Sequence, residues 1–301
     1  MEKQSDTAGP AAVLRDIKAL ALDLDGTVLA PGAVLRERTR KVLSGCIKRG
    51  IRVIFCTGRS FDSTEKFRRA IDGDGPMVCF NGAVVASMPD GKILGASLLE
   101  REAAEFCVDI ARRENIYYQI YFPAKSGDIV SGRFSPGGPW ETLMADGDCR
   151  EAEEYQRKTG VQAAFGDLRE VLSSPDFSGC IKSMFITSPE MIKKIRPEIG
   201  ERFGDSIYMT LSSPVFLELM HAGVSKGEGL RTAMDHLGLK KENVLACGDE
   251  ENDLPMFSVA GHSAVPANAR EQVLAAAAFR FKDCAEEGLA EFLEDALMPT
   301  V

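Results

Sequence analysis

The amino-acid sequence predicts an α/β fold, a doubly wound parallel sheet interrupted by a large α+β insertion. Three observations carry that expectation. Short apolar runs alternate with stretches of helical periodicity before residue 84 and again after Val224, the rhythm of a parallel sheet with crossover helices. Between residues 84 and 220 the rhythm changes to helices interspersed with strand-like runs that lack this strict alternation. The length, 301 residues at 45% hydrophobic and 27% charged, exceeds an average domain about twofold and supplies apolar surface for two cores.

Taken in order, residues 1–16 are small, polar and aperiodic, and a mobile tail is expected there. The run 19–24 reads as a first strand, ending in Asp-Leu-Asp-Gly. Leu35, Thr39, Val42, Leu43, Cys46 and Ile47 then recur at helical spacing until Gly50. A second strand over 51–56 stops at Thr57-Gly58-Arg59; a helix (Phe61, Thr64, Phe67, Ile71) and a glycine-rich turn lead to a third strand over 77–80. In the insertion, a helix (Ala103, Phe106, Cys107, Ile110) precedes a strand pair, 117–122 and 128–132, around Gly127. A turn-rich loop over 131–140, an acidic helix over 151–158, a strand over 181–186, a helix over 190–203 and strands over 207–211 and 215–220 complete it. The first rhythm then resumes: a helix (Leu230, Ala233, Met234, Leu237), a strand over 244–247, a helix past Asp253, a short strand near Ala264-Val265 and helices to Leu297. The expected division is therefore 17–83 with 221–301 as one domain and 84–220 as the other.

Charge and cysteine usage bound the partners. With 36 basic against 45 acidic residues the formal charge is −9, a field that repels nucleic acid and anionic membranes. Neither is an expected partner. A small anionic substrate would need a local positive cluster or a metal ion. The eight cysteines, at 46, 56, 79, 107, 149, 180, 247 and 284, contain no C-x-x-C pair and several lie in apolar runs, so buried free thiols and a cytoplasmic location are expected. The first residues lack the apolar core of a signal peptide. The longest stretch without formal charge, 254–269, is broken by Pro, Gly, His and Asn and is short of the roughly 18 apolar residues of a membrane span.

Four polar clusters close successive strands or open helices of the alternating part. Asp23 and Asp25 lie two apart at the end of the first strand, where i and i+2 face one side, with Gly26 permitting a sharp turn. Alone, this would be an Asx-Gly turn with surface acids. It is joined by Thr57-Gly58-Arg59, by Ser225-Lys226-Gly227 and by Gly248-Asp249-Glu250-Glu251-Asn252-Asp253. Doubly wound sheets bind ligands outside the carboxyl ends of their strands, so these four clusters are expected to converge.

In order, spacing and insertion point, Asp23-Leu24-Asp25-Gly26-Thr27, Thr57, Lys226 and Gly248-Asp249 with Asn252-Asp253 resemble the motifs of haloacid dehalogenase superfamily phosphatases. Within them the chain looks like the Cof-type branch (subfamily IIB, C2B cap), which Asn81-Gly82-Ala83 and Ala267-Asn268-Ala269 also resemble; His221 departs from it, proline being usual there. The resemblance implies a Rossmann-like core carrying an inserted α+β cap domain. It further implies a Mg²⁺-dependent phosphohydrolase that cleaves a phosphate monoester of a small metabolite, such as a sugar phosphate or a phosphorylated vitamin or nucleotide precursor. In that scheme Asp23 becomes an aspartyl-phosphate, and Asp25 protonates the leaving oxygen and later activates water. Mg²⁺ would be held by Asp23, Asp249 and the backbone carbonyl of Asp25; it is the cation that lets a carboxylate approach a phosphate dianion. Lys226, the Thr57 hydroxyl, the Gly58 amide and Asn252 would bind the phosphoryl group, Asp253 with Asn252 orienting the lysine. A phosphosugar mutase sharing the nucleophile, and a non-catalytic binding protein on the same fold, are the alternatives.

Other polar residues are read more plainly. Arg59 either contacts substrate or bridges to the following helix. Glu250 and Glu251 are not ligands, and His221, His236 and His262 lack partner spacing for a metal or a triad. Asp72, Asp74, Asp146 and Asp148 flank glycines or lie close to them, as turn formers do. Trp140 is a packing residue or a substrate lid, and side chains of the loop 124–138 are expected to select the substrate.

Overall fold

The computed structural model describes residues 9–123, 141–146, 150–161, 163–174, 177 and 179–298. The chain forms two compact units: residues 1–57, 67–78 and 226–301 make the first, and 58–66 with 79–225 the second. The expected insertion, 84–220, falls wholly inside the second.

Strands are numbered along the chain: β1 (Ala19–Leu22), β2 (Arg52–Cys56), β3 (Met77–Cys79), β4 (Val84–Ala86), β5 (Ile93–Ala96), β6 (Tyr117–Pro123), β7 (Glu141–Asp146), β8 (Ala163–Phe165), β9 (Lys182–Ile186), β10 (Ile207–Ser213), β11 (Phe216–His221), β12 (Val244–Cys247), β13 (His262–Pro266) and β14 (Phe279–Phe281). In the first unit the order is β14-β13-β12-β1-β2-β3, with the pairs parallel. β1 and β12 are buried at every residue, which is why their sequences are unbroken apolar runs and do not alternate. From β1 the chain proceeds outward through β2 and β3; from β12 it proceeds the opposite way through β13 and β14. The direction reverses between β1 and β12, whose register is Ala19↔Val244 to Leu22↔Cys247, and that reversal is the topological switch point.

One face of this sheet packs Leu20, Leu22, Val53, Phe55, Leu245 and Cys247 against helices Glu37–Lys48 and Gly288–Leu297. The same core corrects the described part of the expected tail: residues 10–13 form a helical turn beginning at Pro10, and Leu14 is fully buried, while residues 1–8 lie outside the described residues. Leu14 and Ile17, three apart among small and polar residues, give too little periodicity to read, and both are buried in this core.

The second unit contains the antiparallel β4–β5 hairpin and a six-stranded sheet ordered β10-β11-β9-β6-β7-β8, antiparallel except between β7 and β8. Tyr118, Ile120, Phe122, Phe185, Leu217 and Leu219 on one face pack against helices Arg101–Glu114, Leu168–Leu172 and Pro189–Phe203. On the other face Lys182 donates to Glu218 at 3.1 Å, both buried. Among the described residues, the partner of β6 is β7 and β9; the expected strand over 128–132, the loop over 131–140, Trp140 and Asp148 lie outside them.

No described helix is long and apolar enough to cross a membrane. The seven described cysteines are free and buried, and Cys149 lies outside the described residues.

Candidate active site

The site grows from the two strands that flank the switch point. β1 stops at Leu22, and the Asp23 N–H still follows the sheet, donating to Cys247 O at 2.9 Å. Beyond it the chain turns: Val28 and Leu29 both donate to Leu24 O, at 3.0 and 2.7 Å. Asp23 is therefore buried at the strand end whereas Asp25 is exposed in the turn.

Gly26 has φ +85° at the point where the Asp249 carboxylate crosses its backbone; a Cβ there would lie 2.2 Å from Asp249 Oδ2. Only glycine fits both demands. Thr27, next in the turn and 1% exposed, donates from Oγ1 to Asp249 Oδ1 at 2.7 Å.

Lys226 is the first residue of helix Lys226–Leu237 and is 2% exposed, although a cation is disfavoured at that end of a helix. Two carboxylates offset the cost: Nζ donates to Asp23 Oδ1 and to Asp253 Oδ1, each at 2.6 Å. Asp253 is itself fixed, its Oδ2 accepting the Asp249 and Glu250 amides at 2.9 and 3.0 Å, and Gly248 allows this close approach because a Cβ there would meet the Asp253 side chain at 2.3 Å. Asp253 thus joins the lysine to the loop after β12.

Ligand oxygens of Asp23, Asp249 and Asp253 lie within 4.8 Å of one another. With all three ionised, these buried carboxylates against one ammonium would leave an excess of two negative charges. Burial lifts the Asp23 carboxyl well above its usual range; Lys226 opposes this, and Asp253 and Asp249 add to it. Burial likewise raises Asp249 to about 7 despite the Thr27 hydrogen bond. Burial alone would discharge Lys226, but Asp23 and Asp253 outweigh it and keep the ammonium charged. A cluster of hard oxygen donors whose full ionisation leaves surplus negative charge suits a divalent cation.

Thr57 follows β2, is 1% exposed and donates its amide to Val78 O at 2.9 Å. Gly58 is the next residue along the chain and, within the second unit, packs beside the Asn81 side chain. Asn252 lies half-buried in the 3-10 turn Glu251–Asp253. Glu250 pairs with Arg270 at 2.9 Å, and Glu251 is exposed.

Two contacts were invisible in the sequence: Thr27 to Asp249, and Asn268, whose Nδ2 donates to Gly26 O at 2.9 Å. Thr27 belongs to the first cluster and Asn268 to a triplet already singled out, but nothing local to either indicates its partner.

The chain matches the haloacid dehalogenase-like hydrolase family over residues 20–293. It is 25% identical over 285 residues to the 5-amino-6-(5-phospho-D-ribitylamino)uracil phosphatase YwtE of Bacillus subtilis, covering 93% of this chain and 98% of that protein. It is 26% identical over 255 residues to the HMP-PP phosphatase of Cronobacter sakazakii, covering 85% and 86%. A haloacid dehalogenase-like hydrolase from Bacteroides thetaiotaomicron shares the fold with a TM-score of 0.81 at 21% identity, covering 93% and 99%.

Proposed function

We propose that this chain, which belongs to the haloacid dehalogenase-like hydrolase family, is a cytoplasmic Mg²⁺-dependent phosphatase that cleaves a phosphate monoester of a small metabolite through an aspartyl-phosphate. The observation that carries the proposal is the buried Asp23–Lys226–Asp253 chain beside Asp249 at the switch point. The names of the two phosphatase relatives support the substrate class, and free, buried thiols support a reducing compartment.

Mg²⁺, held by Asp23, Asp249 and the Asp25 carbonyl, would neutralise charge where a carboxylate meets a phosphate dianion. Lys226 engages Asp23 Oδ1, which leaves Oδ2 to attack phosphorus. Asp253 positions Lys226 beside Asp23, from where the ammonium would offset charge on the phosphoryl oxygens. The Thr57 hydroxyl, the Gly58 amide and Asn252 donate to those oxygens. Asp25 protonates the leaving alkoxide and then takes a proton from the water that opens the acyl phosphate, releasing inorganic phosphate and restoring Asp23.

The test is phosphate release from a panel of phosphorylated metabolites with and without Mg²⁺, with isomer formation followed in parallel. Release that depends on Mg²⁺ and vanishes in Asp23→Asn is the expected result; isomerisation without net release points to a mutase, and turnover that survives exhaustive chelation overturns the proposal.

A further inference from the structure

We infer that Thr27 sets which ion the site takes: as a positioning residue it commits Oδ1 of Asp249, leaves Oδ2 as the ligand oxygen, and so favours Mg²⁺ over Ca²⁺. This rests on the metal role given to Asp249 in the phosphatase reading above. Thr27 is buried, and its Oγ1 donates to Asp249 Oδ1 at 2.7 Å. An ionised carboxylate can only accept, so the hydroxyl is the donor of this bond. Lys226 commits Oδ1 of Asp23 in the same manner. Each of the two carboxylates assigned to the metal therefore has one oxygen engaged by a donor.

Both partners of the Thr27–Asp249 bond are held from behind. Thr27 lies inside a turn closed by the Asp25–Leu29 bridge and by the Val28 and Leu29 amides on Leu24 O. Its β-branched side chain has few χ1 states to choose from. Asp249 is fixed by its own amide on Asp253 Oδ2 at 2.9 Å and by the Arg270 amide on its carbonyl at 3.0 Å. The carboxylate also lies close against Gly26, where a Cβ would come within 2.9 Å of Cγ and of both oxygens. The bond thus joins two braced loops and resists an ion that would draw Oδ1 away. Mg²⁺ demands near-octahedral geometry and is served by one oxygen from each carboxylate, whereas Ca²⁺ takes about 6–8 oxygens and accepts a carboxylate through both. Chelation would ask Oδ1 to serve the ion and the hydroxyl together. Thr27 therefore penalises the ion that gains from the second oxygen.

The experiment is isothermal titration calorimetry of the full chain with Mg²⁺ alone and with Ca²⁺ alone, no substrate present, on wild type, Thr27→Val and Thr27→Ser. Valine keeps the branched shape and removes the donor; serine keeps the donor. In Thr27→Val the Kd for Ca²⁺ divided by that for Mg²⁺ should fall about tenfold, the low end of what an outer-sphere partner contributes to metal affinity, with Mg²⁺ weakened and Ca²⁺ not. In Thr27→Ser the ratio should return to the wild-type value. Loss of a merely structural contact weakens both ions alike and cancels in the ratio. If circular dichroism shows Thr27→Val unfolded, Thr27→Ala is read in its place. An unchanged ratio, or a serine variant that behaves as valine does, overturns the inference, while phosphate release by wild type still upholds the phosphatase reading. A wild type and variants that show the expected ratios but release no phosphate overturn that reading alone. A wild type that binds neither ion overturns both.

Discussion

Replacing Lys226 by methionine tests the electrostatic reading of the site most directly. The side chains have similar length, so the change removes a charge and leaves little cavity. Lys226 is 2% exposed and bonds two buried carboxylates at 2.6 Å each, with the third, Asp249, nearby. Breaking a buried pair by deleting one partner costs about 3–5 kcal/mol, because the surviving charges keep their desolvation penalty. At roughly 2–4 °C per kcal/mol, that predicts a fall in Tm of roughly 6–20 °C for the unit carrying the site, measured in EDTA at about pH 8. Two conditions should shrink the loss. Acidification lets Asp23, whose carboxyl burial already pushes upward, hold a proton, and excess Mg²⁺ supplies a replacement cation. The assay is thermal unfolding by circular dichroism on wild type and Lys226→Met, at about pH 6 and pH 8, with EDTA or excess Mg²⁺. Turnover should fall about 10²–10³-fold even with Mg²⁺, as for loss of an oxyanion donor. A Tm unchanged in EDTA at the higher pH would refute the view that this lysine balances the carboxylates.

Asp249→Ala should raise the Mg²⁺ needed for half-maximal phosphate release at least about tenfold, since loss of even an outer-sphere partner costs that much; an unchanged titration excludes Asp249 as a ligand. Gly26→Ala forces a Cβ into Asp249 Oδ2 at a positive φ, and should cost about 1–2 kcal/mol in stability and about 100-fold in kcat; an active Gly26→Ala enzyme would count against the close approach. For metal-free wild type, the Asp249 carboxyl is raised from 3.8 to about 7 by burial, so the folded state holds a proton that the unfolded state has lost. Stability contributed by that proton is complete below about pH 4 and lost as pH rises to about 7, by up to about 1.4 kcal/mol per pH unit, and Mg²⁺ should flatten the slope. Urea unfolding across that range checks the sign.

Much of the first unit was legible because its information is local. Unbroken apolar runs such as those of β1 and β12 mean burial on both faces, and the helical periods between strands mean crossovers. The second unit was harder to read. β7 and β8 were missed: β8 spans three residues at a sheet edge with its last side chain exposed, and β7 follows directly in sequence on the glycine- and proline-rich stretch 131–140. Neither presents the alternation by which half-buried strands announce themselves.

What the sequence by itself determined is the inventory of chemistry and its order along the chain: two aspartates before Gly26-Thr27, a threonine after the second strand, a lysine at a helix start and an acidic loop after a later strand. Tertiary structure alone decided the partnerships. Lys226 meets Asp23 across 203 positions, Thr27 meets Asp249 across 222, and Asn268 meets Gly26 across 242. It also buried Asp23 and left Asp25 exposed, because the chain turns beyond the end of β1, with Val28 and Leu29 donating to Leu24 O. Periodicity and turn chemistry act over a few residues and can be read in one dimension. A hydrogen bond between distant loops depends on which strands pair at the switch point, and that is settled only when the whole sheet is packed.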